Sequence, residues 1–195
     1  MKNSVAIKGV IIWFVAMVLW GCKNKTGGTN KTVTSDTAVF YPVKEYFLQQ
    51  IREVDSSAGF IYKTTLENGR ADSTALSKKQ FDSLAQFFLR YDISDKRVRN
   101  YYKENIFLDE TTHSYTFNYT AADDLLPLKR LDVLLDVGST QVKRVFITIS
   151  ETVDGYEVTD KAGWKTGDRF FINRITDRGG STSVQQNTIV WRNQP

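Results

Sequence analysis

Residues 144–160 read RVFITISETVDGYEVTD, and this run decides the fold. Val145, Ile147 and Ile149 fall on every second position, against Arg144, Thr148 and Ser150. A period of two belongs to a strand with one buried and one wet face. Asp154-Gly155 has the composition of a type I′ hairpin turn, so Phe146–Val153 and Tyr156–Asp160 are expected to pair antiparallel.

The same period extends in both directions. Leu131, Val133, Leu135 and Val137 alternate with Arg130, Asp132 and Asp136. Tyr115, Phe117 and Tyr119 share one face, with Thr116 and Asn118 opposite. Downstream, Lys165-Thr166-Gly167-Asp168 is a turn, and Gly179-Gly180 separates Arg169–Thr176 from Ser183–Trp191. Five or six sequential strands from about Glu104 onward, joined by short turns, imply an antiparallel meander.

Upstream of Glu104 the period is helical. Val43, Phe47, Ile51 and Val54 recur at steps of three and four over roughly Pro42–Ser56. Pro42 suits a first turn, where its missing N–H costs nothing, and Gly59 ends the segment. Phe60–Leu66 reads as a strand followed by an Asn68-Gly69 turn. Ser77 with Gln80 is a capping box, and Phe81, Leu84, Ala85 and Phe88 form the stripe of a second helix. A short third helix is expected over Asp95–Tyr102, capped by Ser94. The expected class is α+β: two or three helices packed on one face of a twisted antiparallel meander sheet. The order helix, strand, helix, meander resembles cystatin-like and NTF2-like folds. It also suits the curved sheets of periplasmic lipoprotein carriers.

The amino terminus carries an address. Lys2 and Lys8 precede a stretch of 13 uncharged residues, GVIIWFVAMVLWG, ending at Gly21. At 1.5 Å per residue it reaches about 20 Å, short of a bilayer core of about 30 Å, as the apolar part of a secretory signal does. Its end runs into Cys22 as Leu19-Trp20-Gly21-Cys22, and Cys22 is the chain's single cysteine. These residues resemble the lipobox of bacterial lipoprotein precursors, a Leu, a variable residue, a small residue and Cys. The resemblance implies that residues 1–21 are removed and that Cys22 is acylated and anchors the chain in a bilayer. Two or more acyl chains hold a protein stably where one is marginal. Residues 22–37 would then be a flexible polar tether, KNKTGGTNKTVTSDT after the cysteine, leaving one folded domain over 38–195.

This layout is similar to that of lipoproteins of the Bacteroidetes lineage. Those exported to the cell surface carry acids soon after the cysteine, whereas Cys22 is followed by Lys-Asn-Lys-Thr. The resemblance therefore implies an outer-membrane anchor facing the periplasm. The same lineage glycosylates Asp-Ser/Thr-apolar or Thr triplets, and Asp36-Thr37-Ala38 in the tether makes Thr37 the candidate acceptor.

Composition narrows the chemistry. The 195 residues sum to a formal +4, but cleavage before Cys22 removes Lys2 and Lys8 and no acid, which leaves +2 on 174 residues. That balance gives no reason to expect a nucleic-acid ligand. One cysteine and one histidine, His113, cannot furnish a Cys- or His-rich metal centre, and nothing calls for a cofactor. His113 reads as a solvent-exposed residue at a strand edge. There is no G-x-S-x-G elbow. Asp109/Glu110 and Asp123/Asp124 are neighbouring acids in polar connections, which are usually solvated.

The aromatics carry more information. Phe170 and Phe171 must face opposite sides of their strand, and Phe146 opposes Val145 and Ile147. The wet face of the sheet is therefore expected to carry Phe146 and one of Phe170 and Phe171, with Leu134 nearby and Arg130, Lys129 and Arg144 as a cationic rim. An exposed aromatic patch binds a lipid, a glycan or a protein. The expected function is that of a tethered, non-enzymatic binding module of the cell envelope. The alternatives are a small cavity enzyme of NTF2-like or cystatin-like build, which would need acids such as Asp132 and Asp136 inside a pocket, and a structural accessory of an envelope complex.

Overall fold

Val43–Ser56 forms helix α1, and its apolar stripe Val43, Phe47, Ile51 and Val54 is buried, as the spacing predicts. Pro42 stands at the N-cap. The computed structural model describes residues 40–57 and 59–192. The apolar leader, Cys22 and the tether with Thr37 lie outside the described residues.

After α1 come β1 (Phe60–Glu67) and β2 (Arg70–Leu76), a hairpin about Asn68-Gly69. Helix α2 (Lys78–Ala85) opens on the expected capping box: the Ser77 side chain accepts from the Gln80 N–H, and the Gln80 side chain accepts from the Ser77 N–H. It tightens into a 3₁₀ turn, Gln86–Leu89, so that Phe81, Ala85 and Phe88 stay on one buried face. Helix α3 is a single turn, Lys96–Arg99. Its cap is Asp95, which accepts from the Arg97 N–H, and not Ser94, which instead donates to Asp92.

Seven strands follow in sequence: β3 (Tyr102–Asp109), β4 (Ser114–Ala121), β5 (Leu128–Asp136), β6 (Val142–Val153), β7 (Tyr156–Lys165), β8 (Arg169–Asp177) and β9 (Thr182–Arg192). All nine strands form one antiparallel sheet in the order β2-β1-β9-β8-β7-β6-β5-β4-β3. The segment from α2 to α3 thus carries the chain from one edge of the sheet to the other, and the meander returns it to β1. The sheet outweighs the helices more than the sequence suggests. Two strands were not anticipated as such: β2, whose residues are nearly all exposed, and β3 at its full length.

The inner face of the sheet meets α1 and α2 through aromatic rings. Trp164 stacks on Phe170 at 4.9 Å, and Phe88 meets it edge-on at 5.1 Å. Phe81 stands edge-on to Trp191 at 5.3 Å, and Phe47 lies 5.5 Å from Trp164. Trp164 and Trp191 are therefore core residues. Polar ties fix α1 to the strand ends. The Gln50 side chain, buried, accepts from the Gly167 N–H at 3.0 Å and donates to Glu53 at 2.7 Å. Tyr46 and Thr166 share a hydroxyl–hydroxyl bond of 2.8 Å.

Candidate functional site

Strand register assembles a patch on the outer face of β6, β7 and β8. Arg144 stands opposite Lys165, and Lys165 opposite Arg169. Two residues along each strand, Phe146 stands opposite Gly163, and Gly163 opposite Phe171. Directly opposed side chains share a face, so three cations lie in one row and two aromatic rings in the next.

Gly163 is the keystone of that second row. A Cβ there would sit 2.5 Å from Cε1 of Phe171 and 2.9 Å from Cδ1 of Phe146. The two rings lean over the bare backbone, with centroids 6.4 Å apart. They line a shallow pocket of ≈ 370 Å³ with Arg144, Lys165 and Arg169.

The row of like charges is repulsive by itself. Asp168 relieves it in part, accepting from Lys165 at 2.6 Å and from Arg169 at 3.2 Å. Among the described residues, no ion pair or hydrogen bond engages the Arg144 guanidinium. Such a patch suits a partner that brings an acidic group beside an apolar or planar one. The cations give charge-assisted hydrogen bonds and the rings give contact area. The side chains lining the pocket include no hydroxyl, thiol, imidazole or carboxylate.

The structure sorts the residues anticipated from sequence. Phe146, Phe171 and Arg144 come together at this pocket. Phe170 does not: it is fully buried on the inner face against Trp164 and Phe88, because its register partners there are Trp164 and Ile189. Arg130 is on the outer face but outside the pocket lining, and it is taken up by Asp132 at 2.7 Å. Lys165 and Arg169 were missed. Their signal was the turn they flank, which places both beside Arg144 once β6, β7 and β8 are in register.

Other candidate groups are dispersed. His113 is exposed in the β3–β4 turn with φ 47°, the left-handed region. Asp109 accepts from Thr111 and Thr112 within its own turn. Asp123 accepts from the Leu125 N–H, and Asp124 is exposed beside it. Asp132 is held by Arg130 and Asn118 on the outer face, and Asp136 accepts from Gly138 and Ser139 in the β5–β6 turn. The two acids that the enzyme alternative would place in a pocket are thus spent on local structure. Among the described residues, no three His, Cys, Asp or Glu side chains gather as a metal site.

These turn acids make the fold sensitive to acid. The side-chain bond from Lys165 holds Asp168 below the ordinary aspartate value, and the Ser139 N–H does the same for Asp136. Thr111 lowers Asp109, and Arg97 lowers Asp95 to about 2. A carboxyl depressed in the folded state contributes stability that is complete above its unfolded value and is lost as pH falls through the folded one. Asp82 opposes the trend, since burial raises it. The melting temperature is expected to be level from neutral pH down to about 5 and to fall steadily below about 4. Asp136→Asn should flatten part of that fall. A melting temperature unchanged down to about pH 2 would contradict the assignment.

Among the described residues, no helix is long and apolar enough to cross a membrane. The chain matches no protein-family model and no curated protein.

Proposed function

We propose that this protein is a non-enzymatic binding module of a bacterial envelope, tethered through acylated Cys22 and facing the periplasm, with the outer patch on β6–β8 as its binding face. In this reading the domain is α+β, with α1 and α2 on the inner face of a twisted sheet and the outer face left open to a partner. The observation that carries it is the convergence of Phe146 and Phe171 over Gly163 beside Arg144, Lys165 and Arg169. Aromatic anchors with an arginine are the side chains that most often dominate binding. The partner is an envelope protein, glycan or lipid that presents an acidic group next to an apolar surface. The same reading keeps Thr37, in the tether, as a glycosylation acceptor.

Two experiments test the two halves. Metabolic labelling with palmitate should mark the wild-type protein and leave Cys22→Ala unlabelled and in the soluble fraction. Equal labelling of both would remove the anchor. For the binding face, Gly163→Val is expected to push the two rings aside at a cost of about 1–2 kcal/mol. Photocrosslinking in intact envelopes from a probe at Thr188, beside Phe171 in the sheet, should give an adduct in the wild type. That adduct should be lost in Gly163→Val and in Arg144→Glu, and retained in Arg70→Glu on exposed β2. An adduct that survives the first two changes would move the site elsewhere.

A further inference from the structure

Four adjacent strands turn from apolar to polar along the inner face, one row earlier on β9 than on β8 and β7, and one row earlier again on β1. Along β7 the inward residues run Trp164, Ala162, Asp160, and along β8 they run Phe170, Ile172, Arg174. On β9 they run Ile189, Asn187, Gln185, and opposite them on β1 Lys63, Thr65, Glu67. An inward face that was only core would stay apolar, because a buried polar group without partners is costly. Here the polar half opens into a cleft of ≈ 490 Å³, walled on the other side by the end of α2 and the 3₁₀ turn. That volume lies within the range of small-molecule sites.

The polar groups in this cleft are pre-arranged. Asp160, 1% exposed, takes two bonds from Arg174, at 2.8 Å to Nε and 2.7 Å to Nη2. The guanidinium is thereby fixed with donors left over, since it carries five. Asn187 accepts from the Thr65 hydroxyl at 2.9 Å and donates to Gln185 at 3.2 Å, which orients both carboxamides. Arg90 is bound to Glu151 at 2.7 Å. Gln185 donates in turn to the Glu67 carboxylate at 3.2 Å, so the acids around the cleft, Asp160, Glu151 and Glu67, are each engaged, whereas Lys63 has no ion-pair partner among the described residues. Phe87 and Ile172 supply apolar wall.

We propose that this cleft binds a small sugar acid: a hydroxylated ring bearing one carboxylate. The carboxylate would meet Lys63. The hydroxyls would meet Asn187, Gln185 and the free edge of Arg174, two rows further along the face, and the ring's C–H face would rest on Phe87 and Ile172. One anionic group matches one unpaired lysine. Paired amides are suited to hydroxyls because each offers both a donor and an acceptor.

Calorimetric titration of the full chain with glucuronate tests it, with glucose and benzoate as the neutral and the hydroxyl-free comparisons. Glucuronate should bind about tenfold or more tightly than either, because a site built to hydrogen-bond a group rejects an analogue lacking it. Lys63→Gln should weaken glucuronate about tenfold and leave glucose unchanged. Ser83 is exposed on α2 at the cleft wall, so Ser83→Trp should occlude the site without touching the core. Both variants should melt with the wild type, so that lost binding is not lost folding. The proposal is overturned by no binding at about 50 mM glucuronate, far above the millimolar constants of weak sites. Benzoate or glucose binding as well as glucuronate would overturn it too, as would binding unchanged in Ser83→Trp.

Discussion

Trp164→Ala is expected to lower the unfolding free energy by about 3–5 kcal/mol, the largest effect of any single change considered. Trp164 is 1% exposed and touches rings from both layers: Phe47 on α1, Phe81 on α2, Phe88 on the 3₁₀ turn, and Phe170 and Trp191 on the sheet. Its indole N–H has no hydrogen-bond partner, so the loss is one of packing and cavity formation alone. Five aromatic neighbours cannot collapse into the space left, because each is held by its own helix or strand. Aromatic geometry adds to the area term. Trp164→Phe keeps most of the ring contact and should cost less than half as much. Denaturant titration would show the difference as a shift in midpoint at constant slope. A cost below about 1 kcal/mol for Trp164→Ala would mean that α1 and α2 are not fastened to the sheet through this residue.

Arg174→Ala should cost about 2–3 kcal/mol, from a different cause. It removes both donors from the Asp160 carboxylate, which is almost wholly shielded from water. A buried charge left without a partner is strongly destabilising, commonly by about 3–5 kcal/mol. The lower figure is expected because the Arg174 side chain is itself 49% exposed and water enters once it is gone. The pair as a whole need not be stabilising. The double change Asp160→Asn with Arg174→Met should therefore recover most of the loss, and a double-mutant cycle reads the coupling directly. Additive single and double effects would show that the two groups do not act together. Such a result would also remove the fixed guanidinium that the cleft offers to a ligand hydroxyl.

Several elements were legible in the residues themselves. The α1 stripe, the capping box before α2 and the β6–β7 hairpin all rest on spacings of two to four residues. Local geometry decides those, and each is found where the sequence puts it. Strand β2 was not legible. Arg70–Leu76 has no apolar alternation, and it is a strand because β1 offers it a row of unpaired backbone groups. Ser94 and Asp95 are equally good caps on composition. The chain chose the second because Ser94 is engaged by Asp92.

The two candidate sites divide along the same line. Alternation determined that Phe170 and Phe171 face opposite ways, but not which of them meets water. That was decided by the helices, which cover the side carrying Trp164 and so bury Phe170. The sequence carried Lys165 and Arg169 only as turn-flanking residues, and Lys63, Arg174, Gln185 and Asn187 only as polar residues in strands far apart. Periodicity is a property of one strand. Which rows stand side by side depends on register across strands more than 100 residues apart, as Phe60 and Arg192 are, and pairing over such distances is a tertiary choice. By itself, then, the sequence determined the strand faces and the helix stripes. The tertiary structure alone decided which face opens outward and where the inner face stops being core, because only helix cover and strand pairing set what each side chain meets.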